Sequence, residues 1–122
     1  AIVEYINNEM VVIRKDMDTP YLCLTNFTLS TKEKNGTGQE RFEVIDRHLK
    51  KTGAILNVEE ALELLDVARM DGHRYYEPGH MYYDSTTQWS VVYNLSKCTA
   101  SVCVKTDYEK VYKFSLFQEE TK

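Results

Sequence analysis

Nothing in the 122 residues supplies the run of roughly eighteen apolar residues that a bilayer-crossing helix needs, so no membrane partner is expected. Cysteine is scarce, with only Cys23, Cys98 and Cys103, and an odd count without a CxxC pair gives neither a closed disulfide framework nor a zinc knuckle. Buried free thiols in a reducing compartment follow, and no signal-peptide layout opens the chain, so the expected location is cytoplasmic. A basic stripe is missing too. The 15 Lys and Arg are dispersed among 19 Asp and Glu for a net charge of −4, which excludes a nucleic-acid partner. No phosphate loop is present either, because Asn35-Gly36-Thr37-Gly38 is not followed by Lys-Ser or Lys-Thr. The chain also lacks an initiator Met and enters a strand-like run at once, so it is expected to be a fragment, a domain or a processed product.

What is present supports one core. At 43% hydrophobic and 28% charged, residues 1–122 are expected to form a single unit, too short for two independent cores. Ile2 to Ile6 and Met10 to Ile13 are β-rich runs separated by Asn7-Asn8, and Asn tolerates the positive φ of a tight hairpin turn. After a polar loop to Pro20, Tyr21 to Leu24 reads as a short strand buried on both faces and ending at Thr25-Asn26. Thr28 to Gly38 is rich in Ser, Thr, Lys, Asn and Gly and predicts a mobile loop.

Two helices follow. Phe42, Ile45 and Leu49 recur at helical spacing between Gln39 and Thr52, with Gly53 placed to cap the C-terminus. Asn57 followed by Glu60 is a capping-box start, and Val58, Ala61, Leu62, Leu65 and Ala68 form one apolar stripe that Gly72 is expected to end. An aromatic connector, His73 to Asp84, contains the Pro78-Gly79 turn signal. Beyond it, Trp89 to Tyr93, Thr99 to Val104 and Val111 to Leu116 are spaced as an antiparallel meander. The predicted class is α+β, an antiparallel sheet with two helices on one face. Unbroken apolar runs such as Val91-Val92 suggest that the other face is covered as well, by structure outside these residues.

Few side chains invite chemistry. Cys23 lies in an apolar run, where burial keeps a thiol inert, and Cys98 and Cys103 have no activating neighbour in sequence. His48 reads as a helix-surface residue, and a metal site of His73, His80 and Glu77 or Asp84 would lack the close ligand pairs of zinc sites. No metal or cofactor is therefore expected. Glu59-Glu60 fits a helix N-terminus, which favours negative charge, and Glu119-Glu120 is equally bland. The sequons at Asn26, Asn35 and Asn94 would carry glycans in a secreted eukaryotic protein, although patterns this short recur by chance. What remains is Asn26 at a strand end and Arg41 at a helix start. A fixed amide is a good oxyanion donor, and an Arg at the same cleft can hold a carboxylate or a nucleophile; by spacing alone a turn Asn and a solvated Arg fit better.

These residues belong to a longer set of ordered segments: Ala1-Ile2-Val3-Glu4-Tyr5, Leu24-Thr25-Asn26-Phe27, Glu40-Arg41-Phe42, Val58-Glu59-Glu60-Ala61, Thr87 to Leu95 and Tyr112 to Leu116. In that order they resemble the C-terminal part of the linear-amide C–N hydrolases. This group holds choloylglycine hydrolase, penicillin V acylase and, nearer to this chain, the isopenicillin-N acyltransferase-like proteins. The resemblance implies a four-layer αββα fold of the N-terminal-nucleophile type. In it, removal of a leader exposes an N-terminal Cys whose thiol attacks an amide carbonyl while its own α-amino group acts as base. Asn26 matches the oxyanion-donating Asn of that family, and Arg41 matches an Arg that lies near the nucleophile.

The departure is at the front. Residue 1 is Ala, so the nucleophilic Cys and the Asp and Arg that accompany it are expected in a missing N-terminal segment of the same protein or are lost, and this chain alone is expected to hydrolyse nothing. The expected partners are that segment and a small-molecule amide, with a homo-oligomer left open. Acyl transfer through the same acyl-enzyme is one alternative. The other is a non-catalytic interaction or structural domain, suggested by Tyr75-Tyr76 and Tyr82-Tyr83.

Overall fold

In the computed structural model, which describes residues 1–16, 18–33, 36–74 and 84–117, contacts divide the chain into two units, Ala1–Ile55 and Leu56–Lys122. The first begins with the hairpin that Asn7 and Asn8 permit: their φ angles of 52° and 65° are the paired positive values a two-residue primed turn requires. Strands β1 (Ile2–Ile6) and β2 (Glu9–Ile13) run antiparallel from it, with Tyr5 opposite Met10 and Ile2 opposite Ile13. Ile2 is buried, while Val3, Tyr5, Met10 and Val12 share the exposed face.

The chain then departs from expectation. Tyr21 to Leu24 forms no strand, and Leu22 and Leu24 are exposed instead of buried on both faces. An apolar run needs a neighbour to accept its backbone hydrogen bonds, and no strand among the described residues pairs with it. Nor is the following loop without structure where it is described. Phe27 and Gly36 form an isolated antiparallel bridge, and the Thr37 amide donates to the Asn26 carbonyl at 3.0 Å, pinning a neck where the 26–27 and 36–37 segments meet.

Helix α1 (Gln39–Thr52) starts at Gly38, φ 89°, and ends at Gly53, φ 63°, the left-handed C-terminal position that the sequence marks out. Tyr21 ties the preceding segment to it, its hydroxyl donating to Asp46 Oδ1 at 2.6 Å.

In the second unit, α2 (Val58–Val67) opens on a complete capping box: Asn57 Oδ1 accepts from the Glu60 amide and the Glu60 carboxylate accepts from the Asn57 amide, both at 2.8 Å. It stops earlier than the stripe implies. The Arg69 amide turns back to the Asp66 carbonyl, and Met70 is taken up by Thr87, whose amide donates to the Met70 carbonyl at 2.7 Å. Gly72, φ 86°, therefore lies in a strand and not at a helix end. That strand, β3 (Asp71–Arg74), pairs irregularly with β4 (Asp84–Thr86), a ladder the sequence reading did not contain. The Pro78-Gly79 turn and the tyrosine pairs lie outside the described residues.

The meander forms as expected, with β5 (Trp89–Asn94), β6 (Thr99–Val104) and β7 (Asp107–Ser115) in that spatial order. Helix α2 packs on β5 and β7, burying Leu62, Leu64 and Cys103. Ser90 Oγ and Tyr108 Oη lie 2.6 Å apart, and the phenol donates onward to the Leu65 carbonyl at 3.2 Å, so buried polar groups on this face are partnered. The class is α+β with two helices and antiparallel sheets. Among the described residues the expected single sheet is instead three separate sheets, β1-β2, β3-β4 and β5-β6-β7, because each strand pairs with a neighbour close in sequence.

Candidate functional site

Asn26 and Arg41, fifteen positions apart, meet in the first unit. Arg41 Nη2 donates to Asn26 Oδ1 at 2.7 Å. Their approach is set by the residues that follow each. Phe27 is buried, and its ring meets that of Phe42 edge to face with centroids 5.3 Å apart, locking the strand-like segment against the first turn of α1.

Three further contacts hold the frame. Thr25 Oγ1 donates to the Gly38 carbonyl at 2.9 Å, and the Thr37 amide holds the Asn26 carbonyl. Gly36 stands so close that a Cβ would lie 2.1 Å from the Asn26 carbonyl oxygen, so the neck closes only on glycine. At Gly38 a Cβ would lie 2.8 Å from Arg41 Nη2, and the absence of a side chain there leaves room for the guanidinium to fold back toward Asn26.

The contact has a chemical consequence. With Oδ1 accepting from a cation, the amide is oriented and Nδ2 is left as the donating end. Asn26 is exposed and Arg41 half-buried, so the donor faces solvent and not the rim of a buried strand, a correction that follows from the missing pairing of 21–24. Beside this frame, the Glu4 carboxylate accepts from the amides of Leu29 at 2.7 Å and Ser30 at 3.0 Å. Those bonds, the Leu29 amide first, hold the Glu4 pKa below its ordinary value. Thr25, Gly36, Gly38 and Phe42 complete the frame around the two candidate residues. Their signal in the sequence is the Gly36-x-Gly38 pair next to the Asn26 and Arg41 segments.

The thiols stand apart from this chemistry. Burial raises the pKa of half-buried Cys23, with Asp46 adding to the effect, and burial likewise raises that of Cys103. Cys98 sits in the β5–β6 turn at φ 50° and contacts the Leu95 carbonyl. His48 lies half-buried on α1. The conceivable metal set falls on 75–83 and on side chains outside the described residues; among the described residues, no three of His, Cys, Asp or Glu gather around one point. No helix among them is long and apolar enough to cross a membrane. No family model matches this chain, and no curated protein or solved structure matches it.

Proposed function

We propose that this chain is the C-terminal portion of an amidase or acylase that cleaves a linear, non-peptide C–N amide bond. The nucleophile is an N-terminal Cys carried on polypeptide outside these 122 residues. The observation that carries the reading is the 2.7 Å contact between Arg41 and Asn26, the two residues chosen from sequence for this chemistry. In the reaction the Cys α-amino group, with a pKa of about 8, takes the thiol proton, and sulfur attacks the amide carbonyl. With the upstream polypeptide covering the exposed amide and excluding water, Asn26 Nδ2 donates to the oxygen that becomes negative, a role worth roughly 3 kcal/mol of transition-state stabilisation. Arg41, bound to the other end of the same amide, keeps that donor aimed. Collapse of the tetrahedral species expels the amine, which takes a proton from the α-ammonium, and water then cleaves the thioester. An amine in place of water would make the same site an acyltransferase.

The finer architecture, a four-layer αββα arrangement, belongs to this proposal. It is supported by a three-stranded sheet that carries α2 on one face and leaves the other open. The test is the protein extended upstream. Intact-mass measurement should find a chain processed to begin with Cys. In that protein Asn26→Ala should lower kcat by about 10²–10³ with KM little changed. An upstream sequence without Cys, or an unchanged rate in Asn26→Ala, overturns the reading and leaves the non-catalytic interaction domain, which the exposed aromatics of the β5–β7 sheet favour.

A further inference from the structure

The cross-strand register of the second unit puts Trp89, Val91 and Tyr93 of β5, Ala100, Val102 and Val104 of β6, and Tyr112 and Phe114 of β7 on one face of the sheet. The opposite face holds the buried Ser90, Ser101 and Cys103. The eight themselves are uncharged, and one cation borders them: Lys110 Nζ lies over the Tyr112 ring, 5.2 Å from its centroid, at the β7 end of the face. Trp89 is 66% exposed, Tyr93 69%, Phe114 58% and Tyr112 41%.

We infer that this face closes against the same face of a second copy of the chain. Two features argue for a copy. The first is area. Aromatic side chains present 150–250 Å² each, so at these exposures the four rings alone offer roughly 500 Å² per copy; a face-to-face pair removes about 1,000 Å² from water, the size a specific interface must reach, before any valine or backbone is counted. The second is relief. Aromatics stand on the two outer strands, while the central strand between them carries Ala100, Val102 and Val104. Strands are spaced about 4.8 Å, so the rings form two ridges flanking a low trough, and sheets stacked about 10 Å apart let the ridge of one copy enter the trough of the other. A two-fold axis satisfies both insertions at once, the isologous arrangement that closes a dimer.

The inference concerns these 122 residues, and the four-layer architecture proposed above assigns the same face to a different occupant. In the four-layer arrangement the Cys-bearing polypeptide competes for this same face, so the measurement is made on the 122-residue chain alone, and the Asn26–Arg41 site in the other unit takes no part. Sedimentation velocity across the micromolar range should show the mass moving from one chain to two. Trp89 is the only tryptophan, and its emission should shift to the blue in step with the mass. Tyr93→Lys and Phe114→Lys, at exposed positions, should weaken association about tenfold or more and keep the far-ultraviolet dichroism of the parent chain. If either variant fails to fold, the paired mass and emission curves of the unsubstituted chain still decide. A chain that stays monomeric throughout overturns the inference. So does a dimer whose Trp89 emission does not move, or one that both folded variants leave intact.

Discussion

At the scale of single residues, the candidate site depends on glycine as much as on the side chains that would meet a substrate. Gly36 has φ 115° and no room for a Cβ against the Asn26 carbonyl, whereas Gly53, also at positive φ, has open space around it. Gly36→Ala should therefore cost more than the roughly 1–3 kcal/mol of the strained backbone alone, and Gly53→Ala about 1–2 kcal/mol. Thermal unfolding of the two variants measures the difference, and loss of the Asn26 amide resonance position in Gly36→Ala would locate the damage. Glu4 gives a pH dependence. Its folded-state pKa lies below the unfolded value, so its clamp on Leu29 and Ser30 is in place above the ordinary carboxylate value of 4.5 and is released as pH falls through the depressed one. Protection of those two amides, measured against their intrinsic exchange rates, should fall over that acidic window, and in Glu4→Gln it should be low at neutral pH too.

Among the elements, α2 is the clearest test of local coding. Its capping box satisfies an otherwise unpaired backbone donor at each end of a reciprocal pair, so Asn57→Ala should lower stability by about 0.5–2 kcal/mol in a thermal melt. Such elements were legible because their signals are local: Asn57 with Glu60, Asn7 with Asn8, Gly53 after the last turn of α1. The errors arose where distant partners decide. Tyr21 to Leu24 has the apolar content of a strand, but pairing depends on a neighbour that no short run specifies. Helix α2 loses its last expected turn because Thr87 binds Met70, and β3 and β4, four and three residues long, leave too short a pattern to read. The candidate site was half legible: the residue types of Asn26 and Arg41 suggested a role. The closure by Gly36 and the Phe27–Phe42 lock that brings them together are contacts of the folded chain.

For the whole molecule, the division at Ile55–Leu56 separates two kinds of surface. The first unit carries the polar pair and its glycine frame beside the exposed apolar face of β1-β2; the second carries the larger aromatic face of β5-β6-β7. A lesion confined to one unit should accordingly stay there. In Asn57→Ala, amide exchange should quicken through α2 and β5–β7 while Leu29 and Ser30 keep their protection, and a common loss of protection in both would show that the units open together.

The pinned neck between Phe27 and Gly36 also sets how freely this part of the chain can change length. Since the stem of that loop is fixed by its own bridge, residues added near Thr31 lengthen only the tip, and each doubling of a flexible loop costs about 0.6 kcal/mol. The Asn26–Arg41 geometry is thereby insulated from insertions a few positions away. A segment that varies in size or carries a grafted sequence can sit beside Asn26 without moving it.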